Sequence, residues 1–318
     1  MASLVGVPVM TLATMGDVVM EQRLVPPPSL DESTFERLMR QVATLTKLEG
    51  ERITIDLEHL HFIDPYGMVG LLALARHLRG QSLETILLLP RSDEVMKYLD
   101  RMDFSRHAQG LCSLDLATLW PEGEYSRSAH SDVLLEITPV ARSGDVHYIV
   151  DRVRERAQTI LAVNLHYEQA AIDGFVVALS EVCQNIPEHS QDAGYVAIQK
   201  YFYGRRLGRS LVKIAVMDLG IGFRTSLAPK YAAQYRDWSD IVALRLGIFE
   251  GASRYDDPGR GQGLSAVRRF VERWKGKLTI RSGGARIGVI PPWDRSGSRQ
   301  TSLVPFPGTQ VSIVLPEL

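Results

Sequence analysis

Ala178-Leu179-Ser180-Glu181-Val182-Cys183-Gln184-Asn185-Ile186-Pro187-Glu188-His189-Ser190 closes a strongly amphipathic stretch of the chain and sets an acid and an amide on one side of it. Across 170–186, Ile172, Phe175, Val176, Leu179, Val182, Cys183 and Ile186 recur at the three- and four-residue steps of a helix buried along one stripe. Glu181 and Asn185 then stand one turn apart on the flank of that stripe. A carboxylate beside an amide on a rigid helix can orient a water or a hydroxyl while the amide oxygen binds Mg²⁺. The same spacing arises on any partly solvated helix face, so the pair alone decides nothing. Pro187 removes a helical hydrogen bond, so the helix either kinks there or ends early. His189 reads as a structural or loop histidine, because no partners for a metal cluster nearby.

Downstream, Lys213-Ile214-Ala215-Val216-Met217 is an apolar run of strand length ending in Asp218-Leu219-Gly220-Ile221-Gly222-Phe223. A carboxylate closing such a strand needs a committed donor, either a ligand or the backbone of a turn that the Asp caps. Gly220 and Gly222 supply backbone freedom and close approach. Gly259-Arg260-Gly261-Gln262-Gly263-Leu264 leads into a helix whose Leu264, Val267, Phe270, Val271 and Trp274 share a face, with Gly276 as its stop. A glycine loop feeding a helix N-terminus is an anion site, or simply a flexible loop before a surface helix. Residues 224–258, with a short helical pattern at Ile241–Phe249, have the length of a lid. Arg254 and Arg260 offer planar forks of donors to a terminal phosphate, or are solvated loop arginines. Residues 283–307, containing Pro291-Pro292-Trp293, read as a loop inserted before a last strand that follows Gly308-Thr309.

In this order the segments resemble the sequence boxes of the GHKL superfamily, the ATP-binding domains of gyrase, MutL, histidine kinases and anti-sigma-factor serine kinases. The resemblance runs from about residue 130 to the end. Glu181 and Asn185 look like the N box, Asp218, Gly220 and Gly222 the first glycine box, Gly259, Gly261, Gly263 and the adjoining Leu264 the second, and Gly308 with Thr309 the last. The resemblance implies a Bergerat-fold α/β sandwich that binds ATP and Mg²⁺. It makes Glu181 the catalytic carboxylate and Asn185 the metal ligand. Asp218 and Thr309 would select adenine, and the second glycine loop with Arg254 and Arg260 would hold the phosphates. Pro187 departs from the pattern, since the family continues the helix with Ala and other helix formers.

The first part of the chain alternates strands and helices. Arg52–Leu57 and Thr85–Pro90 read as buried strands, Gly67–Leu78 as a helix with Met68, Leu71, Leu72, Leu74, Ala75 and Leu78 inward, and Ser92–Met102 as a helix capped by Ser92. This is a small α/β layer around one sheet. Ile55-Asp56-Leu57-Glu58-His59-Leu60-His61-Phe62-Ile63-Asp64-Pro65-Tyr66-Gly67 resembles the signature of STAS domains, over roughly residues 15–115. Where that family carries its phosphorylatable Ser before the Gly, this chain has Pro65 and Tyr66. The residues themselves read as a turn before a helix, with Asp64 as its cap.

The expected class is therefore α/β (α+β), with a STAS-like domain over 1–120, a linker at 121–131 and a Bergerat-fold ATPase domain over 132–318. A chain of 318 residues with net charge −1 has room for two modest domains and no bias toward nucleic acid. Cys112 and Cys183 make no disulfide framework, which favours the cytosol. Met1–Met20 lacks a basic start and carries Asp17, unlike a signal peptide, and no run is long enough to span a membrane. The resemblances imply an ATPase or a serine/threonine protein kinase of the anti-sigma-factor type. Its partner would be a protein, of the STAS-domain or transcription-regulator class, with a homodimer also compatible. The alternative is a nucleotide-gated interaction module with little or no catalysis.

Overall fold

Strands interleaved with helices favour parallel pairing, because parallel neighbours need a crossover connection. The computed structural model describes residues 21–45, 52–115, 133–157, 161–162, 166–190, 193–203, 208–255 and 262–317. Its contacts divide the chain into units of residues 1–127 and 128–318; the segment read as a linker lies outside the described residues. The first unit runs β1 (Glu21–Leu24), β2 (Ser29–Leu30), α1 (Phe35–Val42), β3 (Arg52–Asp56), β4 (Phe62–Ile63), α2 (Pro65–Gly80), β5 (Glu84–Leu88), α3 (Asp93–Arg101), α4 (Phe104–Ala108) and β6 (Ser113–Leu114). A parallel sheet of order β1-β3-β5-β6 forms its centre, and β2 pairs with β4 alongside.

The helix α2 is buried on nearly every side, with Met68, Val69 and Leu74 fully inaccessible. Its start is the turn expected from the sequence. Asp64 accepts the Gly67 amide at 2.9 Å as N-cap, and Pro65 occupies the first helical turn. Tyr66 is 4 % exposed and packs edge-on against Phe35, ring centroids 5.6 Å apart. Because the Asp64 carboxylate is itself buried, Asp64→Ala should destabilise this unit by about 1 kcal/mol. The urea midpoint of its unfolding reads the effect, and an unmoved midpoint would mean that the cap contributes nothing.

The second unit comprises β7 (Val133–Val140), α5 (Ser143–Ala157), α6 (Gln169–Asn185), β8 (Gly194–Tyr203), β9 (Arg209–Asp218), α7 (Gly222–Tyr231), α8 (Asp240–Phe249), α9 (Gln262–Arg273), β10 (Lys277–Gly283), β11 (Ala285–Val289), β12 (Arg299–Gln300) and β13 (Phe306–Pro316). The strands form a seven-stranded antiparallel sheet of order β12-β11-β10-β13-β9-β8-β7. Helix α6 packs against both α5 and α9. The stripe read from its sequence is buried throughout and joins Val196, Ile214, Ile280 and Ile313 of the sheet in one core. Among the described residues no helix is long and apolar enough to cross a membrane.

Three local expectations are refined or corrected. Pro187 does not merely end α6: the α-helix stops at Asn185 and the chain continues as a π-helical turn, Ile186–Ser190, which tolerates the missing N–H. The stop of α9 is a Schellman arrangement whose left-handed residue is Lys275, at φ +52°, and not Gly276. There the Gly276 amide reaches the Val271 carbonyl at 2.8 Å and the Lys275 amide that of Glu272 at 3.1 Å. Residues 283–307 are not a plain loop, since β11 and β12 extend the sheet from within them. The rest of that segment is held by Trp293 Nε1 donating to the Lys275 carbonyl at 2.7 Å and by Lys277 Nζ, 3.2 Å from Asp294 Oδ2. Burial pushes the Asp294 carboxyl up, but the Ser296 hydroxyl and amide and the Lys277 ammonium outweigh it and hold the group below its ordinary range.

Candidate functional site

The apolar run of β9 carries Asp218 to the edge of the core, where it is 8 % exposed. Its Oδ1 accepts the Gly220 amide at 2.8 Å, so the carboxylate has the committed donor its burial requires and the turn is an Asx-type turn. The same side chain lines a cavity of about 320 Å³, within the range of small-molecule sites. Asp218 therefore caps its turn and also lines the cavity. Gly220 serves through its amide and is not among the lining residues, whereas Gly222 is.

The end of α6 lines another part of the cavity. Glu181 and Asn185 both face the cavity. Asn185 Nδ2 donates to the Glu181 carbonyl at 2.8 Å, which holds the amide and makes Oδ1 its acceptor arm. Glu188, on the π-helical turn, also lines the cavity, and its carboxylate accepts from Gln184 Nε2 at 2.9 Å. The Glu188 carbonyl receives both the Arg254 guanidinium and, at 3.3 Å, the Tyr255 hydroxyl. Arg254 also lines the cavity, and this contact ties its segment to the turn that follows α6.

The start of α9 completes this side. Gly263 and Leu264 line the cavity, and a side chain at 263 would run into the Glu181 carboxylate. The absence of a side chain at 263 leaves that carboxylate its place against the start of α9; a larger residue would have to push it aside. Gly259, Arg260 and Gly261 lie outside the described residues. Thr309, next to Gly308, lines the cavity with Val216 and Val311 of the sheet. Gly308 sits at φ +73°, and a Cβ on it would meet Asp218 Oδ1 at 2.7 Å, so both backbone handedness and space exclude other residues.

One cavity thus gathers Glu181, Asn185, Asp218, Gly222, Arg254, Gly263, Leu264 and Thr309 from their separate segments. Sequence reasoning missed Phe223, Ser226 and Leu227 of α7 and Gly247 of α8, which also line it. Nothing in their local pattern marks them, although Phe223 directly follows the Asp218 turn. Cys183, on the buried side of α6, is no candidate nucleophile, because burial pushes its thiol up to about 12. Among the described residues no group of three His, Cys, Asp or Glu could hold a metal ion. The chemistry available is the Glu181 carboxylate beside the Asn185 amide, the Glu188 and Asp218 carboxylates on their turns, the Arg254 guanidinium, and apolar lining from Val182, Val216, Phe223 and Val311.

Residues 171–317 match the family of histidine kinase-, DNA gyrase B-, and HSP90-like ATPases. No match was found among curated proteins. The matched span runs from the first turn of α6 to the end of β13 and contains every residue that lines the cavity. A GHKL, Bergerat-fold ATPase domain therefore occupies the C-terminal region, which assigns ATP-binding and ATPase-type activity at the level of the family.

Proposed function

From an ATPase domain of this kind at residues 171–317, we propose that the chain is an ATP-dependent regulator of the anti-sigma-factor serine-kinase type, acting on a protein partner. The observation that carries the reading is the convergence of Glu181, Asn185, Asp218, Gly263 and Thr309 on one cavity. Asp218 accepts the exocyclic amine of adenine, with Thr309 beside it. The 259–263 loop and the N-terminus of α9 hold the phosphates through backbone amides, with Arg254 and Arg260 as side-chain donors. Glu181 takes the proton of the attacking hydroxyl or water. Mg²⁺ would neutralise charge on the phosphate oxygens, and Asn185 is its protein ligand. A single amide suffices because Mg²⁺ keeps several waters and binds largely through the nucleotide's own phosphates. Phosphoryl transfer needs mainly such positioning and charge neutralisation.

The N-terminal unit is then a STAS-like dock or self-association surface and not a phosphorylated substrate, because Pro65 has no hydroxyl and Tyr66 is buried. Partner candidates are another STAS-domain protein, a transcription regulator or a second copy of the chain, in the cytoplasm. Incubation of the purified chain with Mg-ATP tests the whole reading. We expect ATP binding by calorimetry, with phosphate release or transfer to a co-purifying protein, and no phosphate on Tyr66 by mass spectrometry. Absence of ATP binding would remove the reading, and a phosphorylated Tyr66 would make the N-terminal unit a substrate after all.

A second reading is favoured by the docking of Arg254 and Tyr255 on the Glu188 carbonyl. It makes the 250–255 segment a lid whose position, set by nucleotide, is the output. ATP binding without phosphate release or transfer would select it.

A further inference from the structure

Ser282 lies near the end of β10, is 3 % exposed, and pairs in register with Thr309 of β13. Immediately beyond it the register slips, Gly283 pairing with Phe306, so Pro307 and Gly308 bulge out of the ladder. The Ser282 hydroxyl spans the gap. It donates to the Gly308 carbonyl at 2.8 Å and accepts the Phe223 amide at 3.1 Å. A side chain on Gly222 would meet that hydroxyl at 2.7 Å, and one on Gly308 would meet Asp218 Oδ1 at the same distance. One oxygen thus links the turn after Asp218 to the bulge before Thr309, the two backbone segments between which the Asp218 carboxylate is set. Arg281 supports the bulge from below, its guanidinium donating to Gln310 Oε1 at 3.2 Å and to the Val304 carbonyl.

We propose that Ser282 is a positioning residue for base selectivity: by bracketing the Asp218 turn to the Gly308 bulge, it holds the Asp218 carboxylate where it accepts from a base amine. The inference rests on the ATP reading of the cavity and adds to it the residue that makes the adenine end rigid. A hydrogen bond discriminates between an amine and a carbonyl only while its acceptor is fixed, and a turn released at two points can tilt away from a repelling partner. The residues proposed for the triphosphate, the 259–263 loop and Arg254, are not among the groups this bracket joins. Loss of Ser282 therefore acts on the base and spares the phosphates.

Equilibrium binding of ATP and of ITP, which carries a carbonyl where ATP carries the amine, to the full chain and to Ser282→Ala tests this. ATP affinity should fall about tenfold while ITP affinity moves less than about twofold, the scale of one hydrogen bond to a charged group. Equal losses for both nucleotides, or no change in either, would overturn the role of Ser282. A wild type that binds neither would instead overturn the ATP reading beneath it. Amide exchange supplies a second measurement that does not depend on the variant folding. In the wild type the Phe223 amide should exchange slowly, and in Ser282→Ala quickly, with the β10–β13 ladder unchanged. A Phe223 amide that exchanges in the wild type at the rate of an unbonded loop amide would overturn the bracket by itself.

Discussion

Glu181→Ala should lower the rate of phosphate release or transfer by about a hundredfold or more while leaving ATP affinity within about twofold, the loss expected when a positioned general base is removed. The argument rests on where the carboxylate sits. Glu181 is on the exposed flank of α6, one turn before Asn185, and its side chain faces the first residues of α9. Its neighbours include Asn185 and Gly263, the residues proposed for Mg²⁺ and phosphate, whereas the proposed adenine contacts, Asp218 and Thr309, come from the sheet. Truncation there removes the group that orients the attacking oxygen without opening the core, because the stripe that anchors α6 is on its other face. Glu181→Gln is the sharper variant, since it keeps the shape and removes only the basicity. Single-turnover measurements with saturating Mg-ATP separate the chemical step from binding. Full turnover in both variants would exclude Glu181 as the base, and an equal loss of binding would make it a phosphate-site residue instead.

Asp218→Asn should weaken ATP binding by about 1.5–3 kcal/mol, or about 10- to 150-fold, the worth of a hydrogen bond to a charged group. The substitution is nearly isosteric, and its oxygen can still accept the Gly220 amide that the carboxylate accepts at 2.8 Å. The turn therefore survives, and what changes is the arm facing the cavity, which becomes able to present an N–H to an amine that also donates. Two donors then face each other in a partly buried site, where an unpaired polar group is costly. Calorimetric titration reads the loss, with the thermal midpoint as a control for folding. An unchanged affinity would remove Asp218 from the adenine assignment and leave it as a turn residue alone.

Much of the fold was legible in the sequence. The stripe of α6 required burial of Ile172, Phe175, Leu179 and Val182, and all four are buried. The strand ending at Asp218, the helix after the second glycine run and the cap at Asp64 were each carried by local signals of period, turn chemistry or capping. The errors have physical causes. Residues 283–307 carry Gly, Pro and Ser in loop proportions, yet β11 and β12 form there because a sheet edge supplies backbone partners to chain with little strand propensity of its own. Lys275 adopts the left-handed conformation because helix geometry, not residue preference, fixes which position must turn. Pro187 was recognisable as a break, but whether the chain would end or widen into a π-helical turn depended on what its carbonyls could meet, and the Glu188 carbonyl meets Arg254 and Tyr255.

By itself, the sequence determined several of the helices and strands, the inward face of α6, and the order in which an acid, an amide and the glycine turns occur along the chain. Those properties are set within a few turns of backbone, by periodicity and by the φ values that glycine and proline admit. Only the tertiary structure decided that Glu181, Asp218, Gly263 and Thr309 line one cavity, that the Glu181 carboxylate lies against Gly263, and that Ser282 bridges Phe223 to Gly308. These are contacts between residues distant in sequence, created by the β9–β13–β10 ladder and by the packing of α9 on α6. A serine beside two glycines reads as a turn until the strands on either side are paired, because its function lies in the two backbone groups that pairing brings to its hydroxyl.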